Sequence, residues 1–163
     1  MRVDQVLLDD GRSTTREIVE HRGAVAIVPL LEDGRVILVR QYRYAVAEDL
    51  LEIPAGTLES GELPEHCARR ELEEETGYRS GEISKILECY VAPGYSTEKI
   101  HFYVAKGLVR THMKAEEDER IKVEALRFSQ ALEKILAGEI RDAKTICGLF
   151  RVSELVQDLT DSQ

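Results

Sequence analysis

Glu71, Glu74 and Glu75 fall within a single stretch of five residues. On an α-helix, Glu71 and Glu75 lie one turn apart on one face, and Glu74 falls within an arc of about 100° with them. Three carboxylates then point at one small volume. Two such charges about 6 Å apart repel by roughly 3 kcal/mol at an effective dielectric near 20. A divalent cation turns that repulsion into binding energy. Oxygen-only ligation, completed by waters, is what Mg²⁺ or Mn²⁺ prefers. Arg70, beside Glu71 and one turn before Glu74, is placed to brace the acidic cluster with its guanidinium fork. Taken alone, the run from Glu71 to Glu75 also fits a solvated helix face.

The helix that must carry these groups is predicted from Pro64 to Thr76. Proline suits a first helical turn, where its missing N–H has no partner to lose, and Gly77 is the preferred residue just past a helix end. Upstream, Ala24 to Leu31 and Val36 to Val39 are continuous apolar runs separated by Glu32-Asp33-Gly34-Arg35, and they read as buried strands joined by a tight turn. Two short extended segments, Val3 to Leu8 and Thr15 to Glu20, flank Asp9-Asp10-Gly11 and read as an N-terminal hairpin whose Val3, Val6, Leu7 and Leu8 bury something. Further strands are expected at Glu82 to Val91, Ile100 to Ala105 and Lys122 to Phe128. Helices are expected at Gln130 to Ala137 and Ala143 to Leu159, with Gly138 between them. Strands around one central helix, with helices at the end, imply an α/β (α+β) class, an α/β/α sandwich with a mixed β-sheet.

The chain has 163 residues, 22 Lys+Arg against 31 Asp+Glu, and a net charge of −9, a length that fits one domain. With 43% hydrophobic and 33% charged residues it can bury a real core, which excludes disordered and fibrous classes. The acidity argues against nucleic-acid binding, because a polyanion footprint needs a basic face. It is also local: residues 56–78 hold seven acidic and two basic side chains, and residues 115–120 hold four and one. No apolar run approaches the roughly 18 residues of a membrane span and Met1 to Gln5 lacks a signal-peptide core, so a cytoplasmic protein without a membrane partner is expected. Cys67, Cys89 and Cys147 are odd in number and widely spaced, and they read as reduced, small apolar side chains. His66, His101 and His112 show no paired spacing for a metal and read as surface or packing residues.

Around the acidic helix, nine positions in 23 residues are set: Gly56, Glu62, Arg70-Glu71-Leu72, Glu74-Glu75, Gly77 and Tyr78. This stretch resembles the Nudix box, GX5EX7REUXEEXGU, with Tyr78 at the last apolar position. The resemblance implies hydrolysis of a nucleoside diphosphate linked to another group X, assisted by divalent cations. It implies metal ligation by Glu71, Glu74, Glu75 and the carbonyl of Ala55, with Glu62 supporting the loop. The physical logic is independent of the name, since metals neutralise phosphoryl oxygens and lower the pKa of an attacking water.

Pro93 lies sixteen residues beyond Gly77, and Glu52-Ile53-Pro54-Ala55-Gly56 precedes the box. Both features resemble the ADP-ribose pyrophosphatase subgroup. That resemblance implies substrate contacts from Arg43, Glu52, Leu58, Pro93, Gly94 and Glu98. Separately, His21 beside Arg22 is read as a residue near the substrate. The resemblance also matches Glu117 to a general base on a loop that closes on substrate, and Glu119 to an added metal ligand; Glu74 and Glu75 complete the catalytic set. It further implies that residues 1–21 form strands exchanged in a homodimer. The expected reaction is Mg²⁺-dependent cleavage of ADP-ribose to AMP and ribose 5-phosphate, with Mn²⁺ as a substitute ion. The alternatives are another nucleotide sugar or dinucleotide substrate, or a module that binds ADP-ribose without cleaving it.

Overall fold

A computed structural model describes residues 1–111 and 121–161, with side chains to residue 155. The elements run β1 (Arg2–Leu7), β2 (Ser13–Ile18), β3 (Ala24–Pro29), β4 (Arg35–Arg43), β5 (Glu48–Glu52), β6 (Ala55–Thr57), α1 (Pro64–Thr76), β7 (Tyr78–Tyr90), β8 (Lys99–Arg110), β9 (Lys122–Arg127), α2 (Phe128–Leu136) and α3 (Ala143–Asp161).

The strands form three sheets: a β1–β2 hairpin, a four-stranded sheet in the order β6-β3-β8-β7, and a three-stranded sheet in the order β5-β4-β9. The four-stranded sheet is mixed, because β3 pairs parallel with β8 and antiparallel with β6. Its centre explains the unbroken apolar run in β3. Val25 and Ile27 point to one face, where they pack with Cys67, Ala68 and Leu72 of α1. Ala24, Ala26 and Val28 point to the other, where they meet Leu149 and Val152 of α3 together with Val36, Leu38 and Ile53. A strand covered on both faces loses the polar alternation of a half-exposed one.

The helix α1 has the bounds that Pro64 and Gly77 predict: Pro64 opens it, and Gly77 adopts φ 70° while its N–H donates to the Glu73 carbonyl. The hairpin turn also forms where expected, with Gly11 at φ 81°. Three expectations change. β4 runs to Arg43 instead of ending at Val39, so Arg43 is its last residue, and β4 is the central strand of its sheet. β5 and β6 were not foreseen; Glu48–Glu52 carries mixed polarity and Ala55–Thr57 is only three residues long, so both are strands through their pairing with β4 and β3. β7 and β8 extend beyond their apolar cores because each supplies the other's backbone partners from Tyr78↔Arg110 to Tyr90↔Lys99.

In the hairpin, Val6 and Leu8 are half-buried, whereas Val3 is 58% and Leu7 74% exposed. Those two side chains are left mostly uncovered by the described residues of one copy. Cys67 is buried, and burial pushes its thiol up to about 12, which fits an inert packing residue; Cys147 is exposed, so it differs from Cys67 in being open to solvent. His101 packs in the sheet at 9% exposure and His66 is exposed on α1, while His112 lies outside the described residues. Among the described residues, no helix is long and apolar enough to cross a membrane.

Candidate active site

The sheet face of α1 is apolar through Cys67, Ala68 and Leu72, and this anchoring turns the flanking carboxylates toward the backbone of β6. The Ala55 N–H donates to Glu75 Oε2 at 3.0 Å, and Glu75 is only 4% exposed. One residue further, the Glu71 carboxylate lies over Gly56, where a Cβ would stand 1.9 Å from its Cδ and Oε1. The box glycine is therefore the space into which a box carboxylate fits. Ala55, Gly56, Glu71 and Glu75 thus meet at one place.

Arg70 ties Glu62, Glu71 and Glu74 together. Its Nε and Nη2 donate to the two oxygens of Glu62 at 3.0 and 3.1 Å, and its Nη1 donates to Glu71 at 2.8 Å and Glu74 at 2.9 Å. Glu62 also accepts the Glu59 N–H at 3.0 Å, so it ties the loop before α1 to the helix. The Arg70 hydrogen bonds hold the Glu62 carboxyl at about 2, well below its ordinary 4.5. A depressed pKa contributes stability that is present above the unfolded value and lost as pH falls through the folded one. The stability difference between the wild type and Glu62→Gln is therefore expected to be full above about pH 4.5 and to vanish toward pH 2. Urea denaturation at pH 6, 4 and 3 measures it; a difference that is flat across this range refutes the pairing.

Among the described residues, no group of three or more His, Cys, Asp or Glu side chains already surrounds a common point. The donor chemistry nevertheless suits a hard divalent cation, because Glu71, Glu74, Glu75 and the Ala55 carbonyl offer only oxygen. The Gly56 cradle supports the same fit, since it keeps the Glu71 carboxylate beside the Ala55 backbone.

A second cluster adjoins the first. Arg43 donates from Nε and Nη2 to both oxygens of Glu52, at 2.8 and 2.7 Å, and it also feels the charge of Glu75. Glu52 is 1% exposed, so its side chain reaches the site through Arg43 and not by its own surface. Burial pushes the Glu52 carboxyl up, and Arg43 and Lys144 more than reverse this, leaving it below the ordinary carboxylate value. Lys144 donates to Glu52 and lies 3.1 Å from Asp142 Oδ2. Asp142 caps α3 by accepting the Thr145 N–H at 2.9 Å, and the Thr145 hydroxyl accepts the Ile53 N–H at 2.9 Å. Asp142, Lys144 and Thr145 were missed by sequence reasoning. Asp142 three residues before Thr145 is a helix-start signal, but nothing local connects it to Glu52, about ninety residues earlier.

Ala24 pairs with Thr57 on one side and Ile100 on the other, so the start of the box and the connection 91–98 share one end of the sheet. Leu58 is half-buried there, donating its N–H to the Gly23 carbonyl at 3.1 Å. Pro93 and Gly94 are exposed on the turn closed by the Tyr95 and Ser96 N–H groups on the Ala92 carbonyl. That connection is fastened to the linker after β2: the His21 N–H donates to Thr97 Oγ1 at 2.8 Å, and His21 Nδ1 lies 3.9 Å from Glu98. His21 and Glu98 therefore belong to one group. Glu117 and Glu119 lie outside the described residues.

The chain is similar to known proteins along most of its length. Over 145 residues the chain is 42% identical to an ADP-ribose pyrophosphatase of Bacillus subtilis, covering 88% of this chain and 78% of that protein. It is 41% identical over 147 residues to a GDP-mannose pyrophosphatase of Escherichia coli O139:H28, covering 80% and 76%. A solved structure described as an ADP compounds hydrolase superposes with a TM-score of 0.82 over 98% of this chain and 94% of that one, at 23% identity, and so shares the fold. The NUDIX domain family model matches residues 20–149, from the linker after the hairpin through the box to α3, and the chain belongs to the NUDIX domain family.

Proposed function

We propose that this chain is a Nudix pyrophosphohydrolase that cleaves ADP-ribose with one water to give AMP and ribose 5-phosphate. The carrying observation is the meeting of Glu71 and Glu75 with the Ala55–Gly56 backbone, beside an Arg43 held on buried Glu52. A guanidinium in that position suits a pyrophosphate oxygen, to which it presents a planar fork. Glu71, Glu74, Glu75 and the Ala55 carbonyl hold the divalent ion that the family needs, which we take to be Mg²⁺ with Mn²⁺ as a substitute. When bound, the ion supplies charge neutralisation at the phosphoryl oxygens and acidifies an attacking water. Glu117 accepts the proton of the attacking water, and Glu119 would add an oxygen ligand for the ion. Leu58, Pro93, Gly94 and Glu98 enclose the nucleoside or ribose end.

The protein acts as one domain in the cytoplasm, and as a homodimer through residues 1–21. The exposed Val3 and Leu7 support that assembly, because apolar side chains on a two-stranded hairpin gain from being covered. Light scattering at micromolar concentration tests the dimer, and a monomer contradicts it.

The relative named for GDP-mannose favours a second reading, a nucleotide sugar as substrate. A panel of nucleoside diphosphate derivatives assayed for nucleoside monophosphate release with Mg²⁺ decides. ADP-ribose is expected to lead in kcat/KM. A lead for GDP-mannose overturns the substrate, and binding of ADP-ribose without turnover identifies a sensing module instead.

A further inference from the structure

We propose that the first turn of α3 is a positioning element for the substrate-binding arginine, with Lys144 holding Arg43 in place by sharing the charge of buried Glu52. The proposal rests on the reading of Arg43 as the residue that receives the pyrophosphate.

Glu52 closes β5 three residues before Ala55, and its carboxylate is sealed from water. A buried carboxylate requires countercharge and hydrogen bonds at its oxygens. Arg43 supplies two through Nε and Nη2, and Lys144 supplies a third at Oε2. With both cations present, Arg43 is fixed in one orientation yet not the sole countercharge, so part of its charge remains for an anion at its exposed side. Arg43 keeps 40% of its side chain exposed, whereas Lys144 keeps 14%. That asymmetry assigns the outward role to Arg43 and the inward one to Lys144.

Lys144 is itself fixed. Asp142 lies on its ammonium and simultaneously caps the helix through Thr145, while the Thr145 hydroxyl holds the Ile53 N–H. The same turn thus grips both the side chain of Glu52 and the next peptide of the segment leading to Ala55. Removing Lys144 leaves Arg43 as the one strong countercharge for Glu52 and draws it inward, which weakens its hold on a phosphate in ground state and transition state alike. Such a uniform loss of binding raises KM and leaves kcat nearly unchanged.

A double-mutant cycle tests this, run on ADP-ribose or on whichever nucleoside diphosphate derivative the panel ranks first. Lys144→Met is expected to raise KM about ten-fold, the scale of one charge-assisted hydrogen bond, with kcat within about three-fold. Lys144→Arg restores most of the loss because it returns the charge. In an Arg43→Lys background, Lys144→Met adds less than about two-fold, since its route of action is already broken. Lys144→Gln, which still donates to Glu52 but carries no charge, gives the same KM rise and carries the test if Lys144→Met melts early. Full additivity of the two substitutions overturns the proposal, because Lys144 then meets substrate independently. An unchanged KM in both Lys144→Met and Lys144→Gln overturns it too. An unchanged KM in Arg43→Lys alone instead refutes the reading of Arg43 on which it rests.

Discussion

Glu75→Gln loses turnover by about 10³-fold, the scale on which active sites depend on one charged stabilising group, while the protein keeps its fold. The substitution conserves volume at a site only 4% exposed, and the amide oxygen of glutamine can still accept the Ala55 N–H that Glu75 takes at 3.0 Å. What disappears is the negative charge, and with it a proposed ligand for the divalent ion. The expected signature is a melting temperature within about 3 °C of wild type, which corresponds to about 1 kcal/mol in a domain of this size. Saturating Mg²⁺ does not restore the rate. Near-normal kcat in this variant would refute the metal assignment on α1.

Gly56→Ala has a smaller but still large effect on activity by a different route. A Cβ at this position would stand 1.9 Å from Glu71 Cδ and Oε1 and 2.4 Å from Oε2, a separation no contact tolerates. The obstructing atoms are the far end of a flexible side chain, and Gly56 is not among the residues with positive φ, so its backbone accepts alanine. Glu71 therefore swings aside and the fold survives. The carboxylate is displaced from its place beside the Ala55 backbone, and kcat is expected to fall by on the order of 10²-fold, the cost of a misplaced catalytic group. Half-saturation by Mg²⁺ should also move to higher concentration. Denaturation together with a Mg²⁺ titration separates this outcome from simple unfolding; a variant with wild-type metal dependence refutes the cradle.

Much of the site was legible in the primary structure because its parts are local. The helix α1 carries its own start and stop in Pro64 and Gly77, and it formed with those bounds. The position of Arg70 beside Glu71 and one turn before Glu74 is a property of helical spacing, and the guanidinium binds both. The continuous apolar runs at β3 and β4 identified strands covered on both faces. Short strands were less visible. Ala55–Thr57 has no pattern of its own, and it becomes a strand only when β3 offers three residues of partner backbone. The reach of β4 to Arg43 depends likewise on β5 alongside it.

The linear sequence determined the family, the acidic helix and the oxygen-donor chemistry, because each is set by residue types at helical or loop spacings that need no distant partner. It also located most of the −9 net charge in two short segments. Tertiary structure alone decided what surrounds those residues. It sealed Glu52 so that this side chain acts through Arg43, and it set Lys144 and Thr145 from α3 against a segment about ninety residues earlier. It also reserved the space above Gly56 for the Glu71 carboxylate. These are contacts between elements whose separation along the chain has no relation to their distance in space. Burial, which governs how strongly a charge needs a partner, exists only after the sheets and helices have packed.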